Sequence, residues 1–260
     1  MTTLGGQAPH TGDDVPAIWR TACHMAHRLA IWKPGAVPAA LPRSVDRASL
    51  AAMGWLDRLR AYATLPLVLA YRASDQQDVI DADVARWLAV FQAADGEHGL
   101  HSLLFAFGEF RSIFYYRLAG GSPTGALLGR VMSRIWRPTE GLSLLTPRIG
   151  PGLFIAHGTA TTLAAESIGA NCWVHQGVTL GWDYRSNHGP VIGDDVFIGA
   201  GAVVLGSVTI GDRARIGANA MVLCDVPAGA TAVGVPARVF VKAGEVIYPS
   251  GEEPSQGAAG

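Results

Sequence analysis

The chain is poor in charge. Only 16% of its 260 residues are charged, and its 20 basic side chains nearly balance 21 acidic ones. A net charge of −1 excludes the basic field that nucleic-acid binding needs. Cysteine is scarce too. Cys23, Cys172 and Cys224 include no CxxC pair and build no disulfide framework, so they read as reduced packing thiols. No long hydrophobic run exists: the longest, Ala61 to Tyr71, is about half the ~20 residues of a spanning helix and contains Pro66. The N-terminus lacks the charged-then-apolar build of a signal peptide. Together these absences predict a soluble cytoplasmic protein, long enough for a large core.

What is present is a repeat. From Ile168 an aliphatic residue recurs every sixth position: Ile168, Val174, Leu180, Ile192, Ile198, Val204, Ile210, Ile216 and Val222, with Ala228 keeping the phase. Four places after each comes a small or β-branched residue, as at Cys172, Val178, Val196, Ala202 and Val208. A period of six suits neither a helix nor a two-sided strand, and a fixed period marks a repeat architecture. Three hexads close one triangular coil that stacks its aliphatic residues on the coil below. The stretch from Ile149 to Ala232 therefore predicts a parallel β-helix.

Upstream the pattern changes. Residues 1–13 are polar and Gly-rich and read as disordered; residues 14–137 read as an all-helical domain. Helices are expected over Val15–Trp32, from a Ser44 cap to about Arg60, through the apolar segment 61–73, from Asp81 or Asp83 to about Gly96, over 99–119, and over Thr124–Trp136. Such a unit, with five of the seven tryptophans, suits subunit contacts and capping of the first coil. Its histidines, His24, His27, His98 and His101, have no nearby carboxylate pattern and do not suggest a metal site. The β-helix is expected over 138–240, followed by a mostly disordered tail, 241–260.

Stacked aliphatics fill a β-helix, so chemistry must lie on its outer faces, in grooves between neighbouring β-helices of a trimer. His157 stands third in its hexad. Allowing one extra residue before Ile168, Gln176 holds the equivalent place one coil on, flanked by His175. The later repeats lapse only between Leu180 and Ile192, where a polar loop carries Trp182, Asp183, Tyr184, Arg185, Asn187 and His188. A histidine beside a polar coil neighbour and near that loop reads as a catalytic base.

The run GLFIAHGTATTLAAESIGANCWVHQGVTLGW, followed by PVIGDDVFIGAGAVVLGSVTIGDRARIGANAMVLCDVPAGATAVGVPARVF, resembles the hexapeptide-repeat acyltransferases, specifically the serine acetyltransferase family. It is most similar to the branch found among polysaccharide-assembly enzymes, whose linker helix EFRSIFYYRL (Glu109–Leu118) also resembles. The strong match covers about residues 109–240.

The resemblance implies an α+β chain: an N-terminal all-helical domain followed by a left-handed parallel β-helix of hexapeptide repeats. It also implies homotrimers, possible pairing of trimers through the helices, and direct acetyl transfer from acetyl-CoA to a hydroxyl without a metal. The family's base maps onto His157, and its CoA contacts onto Ala200 and Ala218, with Gly181, Arg238 and Lys242 as further contacts. Such transfer needs a base for the hydroxyl proton and donors for the oxyanion.

The sequence departs from the serine-specific pattern in several places. Ala156 stands where the family has Asp before the base. Leu142 occupies the place of the orienting carboxylate, with Glu140 the nearest stand-in, and His188 replaces the second histidine only after a one-residue shift. His175, Gln176, Trp182, Asp183, Tyr184, Arg185 and Asn187 are the candidate acceptor contacts. Family closeness names L-serine as acceptor. The Trp182, Tyr184 and Asn187 set also suits a saccharide hydroxyl. Rival classes are a zinc enzyme of the β-helix carbonic anhydrase type, built on three histidines, and an inactive scaffold subunit.

Overall fold

The computed structural model describes residues 55–91, 99–183, 188–240 and 246–247, all within one compact unit, Val37–Gly260. The expected helix over 15–32, the disordered first residues and most of the tail lie outside the described residues.

Five helices precede the strands: α1 (Trp55–Arg72), α2 (Gln77–Phe91), α3 (Gly99–Ala106), α4 (Gly108–Gly120) and α5 (Pro123–Ile135). Two expectations are corrected here. The break near Arg60 is absent, because α1 runs on through Pro66 as one helix. The single helix expected over 99–119 is two, divided where Phe107 takes an extended conformation, φ −116° and ψ 114°. Helical spacing continues across that joint, so periodicity alone does not reveal it. The start of α5 was legible: Pro123 sits at its first turn and the Ser122 hydroxyl accepts the Gly125 N–H at 3.2 Å.

The strands form the three faces of a parallel β-helix. Face one stacks β1 (Leu142–Leu144), β3 (Thr161–Leu163), β6 (Thr179–Gly181), β9 (Val203–Leu205) and β12 (Met221–Val222). Face two stacks β4 (Ser167–Ile168), β7 (Val191–Ile192) and β10 (Thr209–Ile210). Face three stacks β2 (Phe154–Ala156), β5 (Trp173–His175), β8 (Phe197–Ile198), β11 (Arg215–Ile216) and β13 (Thr231–Val233). It ends in an antiparallel extension, β14 (Arg238–Phe240) and β15 (Val246–Ile247). Every aliphatic residue of the six-period from Ile168 to Val222 is buried, as predicted. Upper coils step by eighteen residues, as from Val191 to Thr209, whereas Ser167 pairs with Val191 across twenty-four. The six added residues form the loop between β6 and β7.

The first coil has no coil beneath it, and the helices cover that end. Arg117 of α4 and Asp83 of α2 pair at 2.9 Å with both side chains nearly inaccessible. Arg117 also donates to the carbonyls of Ile149 and Gly150, and Asp83 accepts the Gly152 N–H at 2.7 Å. Beside this pair, Trp87 donates its indole N–H to the Leu153 carbonyl at 2.9 Å and packs between Phe110 and Phe154. Tyr116 reaches the Thr146 carbonyl at 2.9 Å. Helices and coils thus share one apolar core. The remaining described histidine of the helices, His101, is buried against the Thr64 hydroxyl at 2.8 Å, a packing partner.

Removing one member of a buried, hydrogen-bonded ion pair strands the other charge and costs about 3–5 kcal/mol. Asp83→Ala should therefore lower unfolding free energy by roughly that amount in urea. A loss under ~1 kcal/mol, the scale of an exposed pair, would contradict the cap.

Candidate active site

His157 follows β2 at the corner where face three turns into face one. It is exposed and holds a left-handed backbone conformation, φ 54°, shared within four residues by Ala160 at φ 55°. The corner is long: Ile155 and Leu163 are eight residues apart, where Val174 and Leu180 one coil on are six apart. The next corner is short, with five residues from Leu163 to Ile168. The one extra residue inferred from sequence is therefore an expansion by two at His157, offset by a contraction of one.

Strand register sets the neighbours. Ala156 pairs with His175, so Gln176 sits one coil above His157. Gly201 N–H bonds to the Gln176 carbonyl at 2.9 Å and Asn219 N–H to the Ala200 carbonyl at 2.8 Å. His157, Gln176, Ala200 and Ala218 therefore form one column along the corner, and Gly234 continues it. Arg238 is exposed and pairs in register with Val233, at the far end of the same column. Side chains between are small. An added Cβ on Gly199 would lie 2.6 Å from the Ala218 nitrogen, which shows how closely the backbones stack there.

A second group lies elsewhere. Gly181 ends β6 and Trp182 and Asp183 follow it, at the opposite edge of face one, where face one turns into face two. His188 shares that edge. Its Nδ1 lies 3.2 Å from Glu166 Oε1, which also accepts the Gly189 N–H at 3.3 Å. Those two bonds, the Gly189 one first, hold the Glu166 carboxyl below its ordinary range. Sequence reasoning missed Glu166, because it stands 22 residues from its partner and meets it only by coil stacking. Tyr184, Arg185, Asn187 and Lys242 lie outside the described residues.

Glu140 lies just before β1, and its side chain is 90% exposed with its ion pair to Arg137 at 3.9 Å. Among the described residues the acidic group that meets the corner is instead Glu109 of α4. Its Oε1 accepts the Gly158 N–H at 3.3 Å. Glu109 was visible only as the first residue of the linker-helix motif, with nothing in its spacing to tie it to His157.

These features meet in proteins of known identity. The six-repeat bacterial transferase hexapeptide family matches residues 189–224. The chain is 36% identical over 177 residues to the serine acetyltransferase of Synechocystis sp., covering 66% of this chain and 71% of the relative. It is 34% identical over 179 residues to that of Bacillus subtilis, covering 66% and 77%. The chain belongs to the serine acetyltransferase family.

Solved structures agree in shape. Soybean serine acetyltransferase complexed with serine aligns with a TM-score of 0.52 at 29% identity, over 64% of this chain and 69% of that one. Neisseria gonorrhoeae serine acetyltransferase in complex with serine aligns with 0.52 at 26% identity, over 86% and 94%. The expected fold, helices followed by a left-handed β-helix, holds. Among the described residues no helix is long and apolar enough to cross a membrane.

Within this family member, His175 has an unusual setting. Its ring stacks at 6.0 Å on Trp173 and meets Phe197 edge-on at 5.3 Å. Burial, then the charge of nearby His157, push its pKa below the ordinary 6.5, against a hydrogen bond with the Gln176 side chain that favours the protonated ring. Cys172 is likewise buried, its thiol pushed up to about 12, which makes it the packing thiol expected.

A histidine with a depressed folded pKa binds its proton more readily when unfolded, so stability falls as pH drops through the unfolded value. His175→Gln should therefore flatten the fall in melting temperature between pH ~6.5 and ~5. An unchanged slope would show that His175 is not its source.

Proposed function

We propose that this protein transfers an acetyl group from acetyl-CoA to the hydroxyl of L-serine, with His157 as the base. The observation carrying this reading is one exposed column, led by His157 and followed by small residues, in a chain whose relatives are serine acetyltransferases. Acetyl-CoA fits that column. From His157 to Gly234 it climbs four coil steps, ~19 Å at ~4.8 Å per step. Ala200 and Ala218 leave the backbone open along the way, and Arg238 offers a cation to the phosphates at the far end, with Lys242 a second candidate by sequence alone. The thioester supplies the activated acetyl group.

The chain's own groups do the rest. His157 takes the acceptor's hydroxyl proton on an imidazole nitrogen, which raises the nucleophilicity of the oxygen. Gln176, directly above, presents an amide beside the reacting centre. His175 is half-buried against Trp173 and Phe197, which leaves the exposed His157 as the proton acceptor of the corner.

Gly181, Trp182, Asp183 and His188 stand on the opposite edge of face one and do not meet His157 within one chain. We place that edge beside the His157 of a neighbouring chain in a homotrimer, where Asp183 would take the ammonium of serine. Arg185, with Tyr184 and Asn187, is a candidate acceptor contact by its place in the sequence alone. The saccharide and inactive-scaffold alternatives are not favoured by the relatives. The zinc reading is likewise not favoured by the relatives, which are serine acetyltransferases.

The test is release of CoA thiol by the purified enzyme with acetyl-CoA and a panel of L-serine, homoserine and sugar acceptors. Serine should be the preferred acceptor, and turnover of a sugar without turnover of serine would reverse the assignment. His157→Ala should lower kcat by about 10²–10⁴-fold, the usual value of a general base, with the melting temperature unchanged.

A further inference from the structure

In the next three coils the second residue of this corner donates its N–H to the coil below. Gly177 donates to the Thr159 carbonyl at 3.0 Å, Gly201 to Gln176 at 2.9 Å, and Asn219 to Ala200 at 2.8 Å. In the first coil this place falls to Ala160, which shares their left-handed conformation, and His157 and Gly158 are the two residues by which that corner is expanded. Among the described residues face three begins at β2, so no strand lies beneath Gly158 to accept its N–H. Glu109 Oε1 accepts it instead, at 3.3 Å, from the first turn of α4.

This bond acts on the base. The peptide plane joining His157 to Gly158 carries the His157 carbonyl on one side and the Gly158 N–H on the other. The carbonyl accepts the Thr159 N–H at 2.7 Å while Glu109 holds the N–H, so the plane is pinned at both ends. That plane sets ψ of His157, a residue already in the left-handed region at φ 54°. Such a conformation is disfavoured for a side chain with Cβ and persists only when its surroundings hold it. Gly158 is also wedged in place: an added Cβ would lie 3.0 Å from Leu142, 3.1 Å from Ile155 and 3.3 Å from the Glu109 stem.

We propose that Glu109 is a positioning residue for the base: its carboxylate holds the expanded corner and fixes the direction in which His157 presents its imidazole. This deepens the reading of His157 as base and rests on it. It also accounts for the absent carboxylate at Leu142. The acidic partner of this corner comes from the helical half of the chain.

The experiment compares Glu109→Ala with Glu109→Gln in the full-length protein, reading steady-state kinetics with acetyl-CoA and L-serine. A second readout is hydrogen exchange of the peptide spanning 157–160. Loss of the acceptor should lower kcat about 10- to 100-fold in Glu109→Ala, the scale of a small misplacement of a catalytic group. KM for acetyl-CoA should stay within about twofold, because the column above is untouched. Exchange at the corner should speed up. Glu109→Gln retains an acceptor oxygen and should rescue both kcat and the slow exchange.

Unchanged kcat in Glu109→Ala overturns the proposal. So does a parallel fall of kcat and thermal stability in both variants, which marks a purely structural role. If the parent protein turns over none of the acceptors, the functional reading fails on its own, and exchange still decides the anchor: equal rates in Glu109→Ala and parent would refute it.

Discussion

A β-helix must end somewhere, and its end is where hydrogen bonding and stacking stop being automatic. Each interior coil satisfies its backbone through the coils above and below, so only the first and last coils need outside partners. In this protein the helical half supplies them for the first coil. Asp83, Trp87, Arg117 and Tyr116 bond to backbone groups of residues 146–153, and Trp87 carries the apolar core across the junction. Glu109 completes the set at the His157 corner. The helices therefore do more than pack beside the repeat. They occupy the place of a coil.

That constraint reaches the chemistry because the proposed base stands on the first coil of face three. A side chain one coil higher would inherit its backbone geometry from the repeat. His157 instead sits in a corner two residues longer than the one above it, in a left-handed conformation, with part of its support drawn from a helix. Placing the reacting group where the repeat is interrupted frees its geometry from the six-residue period. The regular coils above keep what an extended co-substrate needs: small side chains in register and open backbone at ~4.8 Å intervals.

Acceptor contacts follow a different logic. The inserted loop after β6 leaves the opposite edge of face one, and Glu166 ties its far end down through His188 and Gly189. Two edges of one flat face cannot close on a single ligand. The proposed homotrimer resolves this by bringing the loop edge of one chain to the His157 edge of the next. The departures from the serine-specific pattern at Ala156 and Leu142 fall on the His157 side, where Glu109 offers a carboxylate from another element.

The sequence by itself determined the β-helix, because a six-residue hydrophobic period has one packing solution and its phase names the buried residues. It also determined the pairings of His157 with Gln176 and of Ala200 with Ala218, since equivalent places in successive coils must stack; strand register joined the two pairs into one column. Motif resemblance singled out His157 and the family. Tertiary structure alone decided the split at Phe107 and the continuity of α1 through Pro66, where local periodicity is blind to a single backbone angle. It alone paired Glu166 with His188 and Glu109 with Gly158, contacts spanning 22 and 49 residues. Such pairs leave no periodic trace in a chain: they exist because coils stack and because a helix fills the space where the first coil has no neighbour.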